Sequence, residues 1–159
     1  MTNNKNSVQW KVKTFQHLTV EQLFEILQLR VDVFVVEQQC AYRELDEYDR
    51  HPETRHISGR NEGGELIAYA RILPPGLCHP EVNLGRFVVR ADFRQQGIGH
   101  QLIQTALQEI AGWWPEMPIK MSAQTYLHRF YAQYGFIQVS DGYLEDGIPH
   151  VEMVKDAKI

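Results

Sequence analysis

The alternation of apolar and polar residues in the first third of the chain predicts a strand, a helix and a long loop. Residues 8–14 alternate in the manner of a half-buried strand. Thr19 and Gln22 form a capping box, and the apolar residues after them recur at helical spacing, so a helix, straight or kinked, should run to about Val36. Residues 37–55 hold many charges and turn formers and predict a loop of a length that is disproportionately functional.

The rest of the chain predicts a series of strands separated by two helices. The longer helix should begin at Gly97 and stop at Pro115, and a short aromatic helix should end near Gly135, which suits a left-handed cap. The strands are expected at about 56–61, 65–73, 82–90, 119–123, 136–140 and 150–154. The order β-α-β-β-β-α-β-α-β-β indicates one mixed α/β domain over residues 1–159.

The composition narrows the function classes. The 159 residues, 43% hydrophobic and 23% charged, suffice for a core without disulfides or metals. A net charge of −4 argues against a general nucleic-acid binder and against an anionic-membrane binder. Cys40 and Cys78 are too few for a disulfide framework, no metal-ligand spacing occurs, and no apolar run is long enough to cross a bilayer. The N-terminal residues also lack the apolar core of a signal peptide, so a cytoplasmic protein without a metal site is expected.

The most informative stretch is the turn between the strand at 82–90 and the long helix. Free N–H groups at a helix start converge on one point, and the helix dipole adds positive potential, so pyrophosphate is a natural ligand there. Gly97 and Gly99 let the backbone approach phosphate oxygens, and Arg94 can add a charge-assisted contact. An ordinary strand-to-helix turn is the alternative. The chain lacks both G-x-G-x-x-G and G-x-x-x-x-G-K-[ST], which argues against dinucleotide-binding and P-loop folds.

A second candidate is the tyrosine in the aromatic stretch at 130–136. A phenol with a reference pKa of about 10 stays protonated at pH 7, so Tyr131 could donate its proton to a departing thiolate. The alternative is a tyrosine that only packs in the core.

The two motifs, in this order and about thirty residues apart, resemble those of the GNAT acyl-CoA N-acyltransferase superfamily. Arg94-Gln95-Gln96-Gly97-Ile98-Gly99 matches the acetyl-CoA motif [QR]-x-x-G-x-[GA], and Phe130-Tyr131-x-x-x-Gly135-Phe136 is similar to the downstream motif. Four further strings resemble the ElaA-like branch of that superfamily: Val35-Val36-Glu37-Gln38, Ala68-Tyr69-Ala70-Arg71-Ile72-Leu73, Gly85-Arg86 and Glu145-Asp146-Gly147-Ile148-Pro149-His150.

The resemblance implies an α/β (α+β) fold with a mixed, mostly antiparallel sheet flanked by helices. The sheet would be split between the strands at 82–90 and 119–123, with acetyl-CoA as cosubstrate in the split. A backbone N–H near Val88 would polarise the thioester carbonyl, and Tyr131 would be the general acid. Gln124 stands where many members carry Asn, and Gln95 where many carry Gly. The implied cofactor-binding residues are Phe87, Val88, Val89, Arg94, Gln95, Gln96, Gly97, Ile98, Gly99, Gln124 and Tyr131.

The acceptor side is less defined. An amine with a pKa of about 10.4 is mostly protonated at pH 7, and freeing it costs roughly 4–5 kcal/mol, so direct attack needs a base, a water relay or a desolvating pocket. Glu37 is the first candidate base, and the other candidates are His56, Glu145, Asp146 and His150. The candidate substrate contacts are Glu37, His56, Arg71 and His150; Arg71 and Arg86 could instead pair with carboxylates. The acidic loop 44–49 either attracts a cationic acceptor or is a solvated surface loop.

These features predict an N-acetyltransferase that transfers an acetyl group from acetyl-CoA to a primary amine by direct attack in a ternary complex. The acceptor would be a small-molecule amine or a lysine, with no nucleic-acid or membrane partner, and a homodimer stays open. A non-catalytic acyl-CoA-binding sensor and a transferase for longer acyl chains are the alternatives. Cys40 and Cys78 lie away from both motifs in the sequence, so neither is nominated as a nucleophile.

Overall fold

The computed structural model describes residues 7–157, in which eight strands form one sheet. The strands are β1 Gln9–Lys13, β2 Arg55–Arg60, β3 Leu66–Leu73, β4 Val82–Val89, β5 Ile119–Gln124, β6 Ile137–Gln138, β7 Tyr143–Glu145 and β8 Ile148–Lys155. The helices are α1 Val20–Val31, α2 Ile98–Trp113 and α3 His128–Ala132. Over the described ranges, no helix combines the length and apolar character that crossing a membrane requires.

The sheet is split between β4 and β5, as predicted. The strand order is β1-β2-β3-β4-β5-β8-β6, with β7 also paired to β8. Neighbouring strands are antiparallel except β4 and β5, which are parallel and pair only at Val82–Ile119 and Asn83–Lys120. Beyond these two residue pairs the strands separate, and the remaining length of β4 borders a gap.

The first helix begins and ends much as the sequence predicts. The Thr19 hydroxyl accepts a hydrogen bond from the Gln22 amide at 3.1 Å, and the Gln22 side chain accepts one from the Thr19 amide at 3.0 Å. After Val31 the chain continues as a π-helix, Asp32–Glu37. The predicted end near Val36 is therefore confirmed, with the last turns widened in a geometry that is frequent at functional sites.

Helices cover both faces of the sheet because side chains alternate along the strands. In β3, Ala68 and Ala70 belong to the cluster that packs under α2, whereas Tyr69 between them belongs to the cluster under α1. The α2 cluster takes its helical members from one stripe: Ile98, Leu102, Ile103, Ala106 and Ile110. The α1 cluster uses Ile26, Leu29 and Val33.

A β-bulge interrupts β4 where the strand leaves β5. Arg86 and Phe87 both lie opposite the single residue Ala70, and Arg86 has a φ of +51°, which is uncommon for a side chain of this size. Because of the extra residue, side chains after the bulge point to the opposite face of the sheet from the one that simple alternation would give them. Leu84, before the bulge, packs in the α2 cluster, whereas Val88, after it, packs in the α1 cluster.

The C-terminal strands differ in part from the prediction. The strand expected at 136–140 is only the two-residue β6, and β7 is absent from the predicted order. Asp146 and Gly147 join β7 to β8 with φ of +51° and +79°, which is the Asp-Gly hairpin turn. Gly135 has a φ of +91° just after α3, as expected for a left-handed cap.

Candidate active site

The gap between β4 and β5 opens into a cleft of about 1330 Å³. Its walls are the end of the π-helix, the edge of β4, the turn before α2, α3, and the β7–β8 hairpin beside β5. A pocket for one small ligand is usually roughly 300–1,000 Å³, so this cleft has room for an extended cosubstrate and a second molecule.

The turn before α2 leaves its N–H groups available to a ligand. Gly97 is the N-cap of this 16-residue helix, with a φ of +79°, and no side chain caps it. Gln95 also has a positive φ, +61°, so the turn needs a left-handed backbone at two nearby positions. An uncapped helix start of this kind leaves backbone N–H groups free to donate to an anion. Gln95, Gly97, Ile98 and Gly99 line the cleft as predicted, whereas Gln96 does not and donates to the Asp92 carbonyl.

Arg94 lies in the cleft wall, but its guanidinium already has partners. It donates to the Val89 carbonyl at 2.9 Å and to both carboxylate oxygens of Glu37, at 2.5 and 3.0 Å. The hydrogen bond from Arg94 lowers the pKa of Glu37 below its usual value. Glu37 lies in the cleft as the sequence indicates, but this partner makes its carboxylate a weaker proton acceptor.

The middle of the cleft combines the free edge of β4 with Tyr131. Phe87, Val88 and Val89 line it, and Tyr131 is 4% exposed with its ring edge-on to Phe87 at 5.7 Å. Burial raises the pKa of the Tyr131 hydroxyl well above its usual value, so the group stays protonated at neutral pH. Gln124 lines the same region and donates to the Gln38 side chain at 3.4 Å.

The wall formed by β5, β7 and β8 carries a cluster of polar side chains. His150 Nε2 lies 3.3 Å from Glu145 Oε2, and the same carboxylate oxygen lies 3.2 Å from Ser122 Oγ. Ser122 Oγ is also 2.5 Å from the Tyr143 hydroxyl, and the Tyr143 and His150 rings are stacked. The sequence reading missed Ser122 and Tyr143. Ser122 precedes Gln124 by two residues on β5, and this period-two spacing could have identified it.

The acidic loop 44–49 turns Glu44, Asp46 and Asp49 toward buried arginines and leaves Glu47 exposed, so the interpretation as a solvated surface loop holds only for Glu47. Glu44 and Asp49 are 3% and 6% exposed. Three carboxylates of this loop neutralise three arginines. The ion pairs are Arg30–Glu44 at 2.7 Å, Arg30–Asp49 at 2.6 Å, Arg71–Asp46 at 2.7 Å, Arg71–Asp49 at 2.9 Å and Arg86–Glu44 at 2.9 Å. Arg71 and Arg86 line the cleft, and the alternative of pairing with carboxylates is what the structure has.

The two cysteines are closer to the site than their sequence positions suggested. Cys40 and Cys78 are free thiols, and both line the cleft. Cys40 Sγ donates to the Asp146 carbonyl at 3.0 Å. A thiol that donates a hydrogen bond is not the thiolate that nucleophilic attack requires, so this contact gives no support to a cysteine nucleophile.

His56 does not line the cleft, which argues against the predicted substrate contact. It lies opposite Arg71 on the neighbouring strand, one strand further from the split, and is 1% exposed. Because a carbonyl only accepts, His56 Nε2 donates to the Asp49 carbonyl at 2.8 Å, and Nδ1 then accepts from the Tyr69 hydroxyl at 2.7 Å. Burial lowers the pKa of His56 to about 4, despite the opposing effect of Asp49.

We expect the free energy of unfolding to fall by roughly 3 kcal/mol as the pH drops from about 6.5 to about 4 on account of His56 alone. In that window the unfolded chain binds a proton that the folded chain does not, so acid favours unfolding. Urea titrations at pH 7, 5.5 and 4.5 measure the effect. A His56→Gln variant should lose most of this dependence, and an unchanged dependence would contradict the assignment.

Comparisons with known proteins agree with this geometry. Residues 16–157 match the family model of the acetyltransferase (GNAT) domain. The chain is 41% identical over 150 residues to protein ElaA of Escherichia coli (strain K12), covering 94% of this chain and 97% of ElaA. The structure is similar to that of an acyl-CoA N-acyltransferase from Pseudomonas aeruginosa, with a TM-score of 0.89 and 42% identity over 94% of this chain and 99% of that one. The crystal structure of Escherichia coli ElaA gives a TM-score of 0.89 at 39% identity, over 94% of this chain and 100% of that one.

Proposed function

The chain belongs to the acetyltransferase (GNAT) family, and from this premise we propose that it transfers an acetyl group from acetyl-CoA to a primary amine. The family match and the acyl-CoA N-acyltransferase fold make the protein an acyltransferase that uses acyl-CoA. In the proposal, the amine attacks directly in a complex that holds both substrates. The observation that carries it is one cleft that joins an uncapped helix start, a buried tyrosine and a wall with ionisable side chains.

The cosubstrate would bind along the β4 side of the cleft. Its pyrophosphate would accept hydrogen bonds from the backbone N–H groups at Gly97 and Gly99, supported by the left-handed turn and the missing side-chain cap. Its pantetheine arm would pair with β4 at Phe87 to Val89, where the strand has no β5 neighbour. Arg94 could join the phosphate contacts only by exchanging the Glu37 carboxylate for phosphate oxygens.

The chemical step would place the thioester between β4 and Tyr131. A backbone N–H near Val88 would stabilise the charge that develops on the carbonyl oxygen. Tyr131, kept protonated by burial, would give its proton to the sulfur as the C–S bond breaks. Tyr131 lines the cleft, so its hydroxyl would lie next to a thioester bound there.

The charges of the cleft wall support an amine as the acceptor. Arg71 and Arg86 are paired with carboxylates of the 44–49 loop, and Arg43, which also lines the cleft, is exposed to solvent. Glu145 and Asp146 also line the cleft, and within residues 7–157 neither pairs with an arginine or a lysine. A cationic small molecule or a lysine side chain suits this wall electrostatically.

The direct test measures release of the CoA thiol from acetyl-CoA in the presence of a panel of amines. The panel should contain polyamines, amino sugars, aminoglycosides and a lysine peptide, and each should be repeated with hexanoyl-CoA. We expect amine-dependent release and an acetylated amine in the mass spectrum, with acetyl-CoA preferred. A consistently faster reaction with hexanoyl-CoA would contradict the acetyl assignment. Tight binding of acetyl-CoA without release for any amine would favour the sensor.

A further inference from the structure

We propose that Glu145 and His150 act together as the general base that deprotonates the acceptor amine. This inference rests on the proposed transfer to an amine and names the group that makes the amine nucleophilic. It also replaces Glu37 in that role, because the Glu37 carboxylate is held by two hydrogen bonds from Arg94.

The hydrogen bonds of His150 fix which nitrogen can accept a proton. His150 Nδ1 lies 2.7 Å from the carbonyl oxygen of Ile148, and a carbonyl can only accept, so Nδ1 carries a hydrogen. In the neutral ring, Nε2 therefore presents its lone pair to Glu145 Oε2, 3.3 Å away. Two acceptors facing each other repel, whereas a proton between them forms a charge-assisted hydrogen bond. The pair is thus arranged to take up one proton.

Neighbouring side chains hold this pair in position. Ser122 Oγ contacts Glu145 Oε2, and Tyr143 both contacts Ser122 and stacks on the His150 ring. His150 is 7% exposed, so its ring has little freedom. The Glu145 side chain is 52% exposed and its carboxylate can meet an incoming ammonium group.

The ionisable groups around the pair include one lysine, which has a carboxylate partner of its own. Tyr143 is on β7, Asp146 is in the turn of the hairpin, and Glu152 on β8 pairs with Lys120 on β5 at 3.4 Å. Lys120 is near enough to oppose the rise that burial causes in the pKa of Tyr143, but its ammonium group is engaged by Glu152. Within the part of the chain that is described, no arginine or lysine forms an ion pair with Glu145 or His150.

The pair also lies on the correct side of the split. Ser122, Glu145 and His150 line the cleft from β5, β7 and β8, whereas the proposed pantetheine site is the edge of β4 on the other side of the gap. An amine that contacts Glu145 would approach the thioester from the wall opposite the cosubstrate. This is the direction that direct attack needs.

The proton balance of the step is complete. One ammonium proton passes to the Glu145–His150 pair and then to solvent, and the freed nitrogen lone pair forms the C–N bond to the thioester carbonyl. As the C–S bond breaks, Tyr131 gives its proton to sulfur. The second nitrogen proton leaves as the amide forms and restores the tyrosine. The net products are an acetylated amine, free CoA thiol and one proton.

The test compares Glu145→Gln with the wild type on two acceptors of different basicity. One is the best alkyl amine from the panel, and the other is hydroxylamine, whose nitrogen is largely unprotonated at neutral pH. For the alkyl amine we expect kcat/KM at pH 7 to fall by about 10²-fold or more. The loss should shrink steadily as the pH rises toward the pKa of the amine, where the amine no longer needs a base. For hydroxylamine, after subtraction of the uncatalysed rate, we expect a loss of less than about threefold because no base is needed.

Glu62→Gln is the control, because it removes an exposed carboxylate in the turn between β2 and β3, outside the cleft lining. It should retain the wild-type pH profile. An equal loss with both acceptors in Glu145→Gln would assign Glu145 a structural role, and no loss with either would remove it from the mechanism; both results overturn the base. Failure of the wild type to release CoA with any amine, despite binding acetyl-CoA, would instead overturn the proposed function.

Discussion

Replacing Tyr131 with phenylalanine should lower kcat for acetyl transfer by roughly 10²–10⁴-fold and leave the affinity for coenzyme A nearly unchanged. The substitution removes only the hydroxyl. The ring keeps its edge-on contacts with Phe87, Phe130 and Phe136, so the cleft wall should hold its shape. The rate falls because the sulfur must then leave as an unprotonated thiolate. The buried phenol is the proton donor that the geometry offers at the middle of the cleft.

Tyr134→Phe provides the matched control. Tyr134 is one helical turn beyond Tyr131, and its hydroxyl bonds to His100 rather than lining the cleft. We expect less than about a threefold change in kcat for this variant, since it removes a hydroxyl from an exposed hydrogen bond. Steady-state rates and calorimetric titration with coenzyme A separate the two effects. If Tyr131→Phe turns over as fast as the wild type, the sulfur receives its proton from another group.

Glu44→Gln should lower the free energy of unfolding by about 3–5 kcal/mol. One oxygen of this carboxylate accepts from Arg30 and from Arg86, and Arg30 is fully buried. The other oxygen accepts from the Tyr42 hydroxyl at 2.5 Å. A glutamine keeps the size but loses the charge, and its amide N–H₂ meets donors on at least one side. The free energy of unfolding therefore falls because the buried Arg30 guanidinium keeps its charge but loses part of the negative charge that balances it.

Glu47→Gln is the control for this experiment. Glu47 pairs with Arg50 in the same loop, but the two side chains are 80% and 65% exposed. Exposed pairs of this kind contribute little, so the change should be below about 0.5 kcal/mol. Urea unfolding followed by tryptophan fluorescence gives both values, and a fall of 3 kcal/mol corresponds to a Tm roughly 6–12 °C lower. Equal effects of the two variants would show that the buried network does not stabilise the loop.

The fold was predictable from the sequence where the signals are local. The capping box at Thr19, the alternation in β1 and the stripe of α2 depend on spacings within a single element. The missed strand β7 has only three residues, which is too short to show an alternating pattern, although Asp146-Gly147 marks its hairpin turn. The inward acidic loop was not predictable in the same way. Its carboxylates meet arginines that are 14 to 42 residues away in sequence, and composition alone favours exposure for both.

The same distinction applies to the site. The turn at 94–99 is one continuous segment, so its residues could be chosen together, and within it only Gln96 does not line the cleft. The polar cluster around Glu145 draws on three strands, and nothing in the sequence pairs Ser122 with Tyr143. The contact between Arg94 and Glu37 spans 57 residues and changes what Glu37 can do. Such partners follow from sheet order and register, which residue patterns do not specify.

The most direct measurement is a titration of ¹⁵N-labelled protein with coenzyme A and, separately, with pantetheine, which has no diphosphate. If the start of α2 binds the diphosphate, the amide resonances of Gly97 and Gly99 shift and saturate with coenzyme A and stay in place with pantetheine. If coenzyme A binds without shifting these two resonances, or if pantetheine shifts them equally, the diphosphate does not bind at the start of α2.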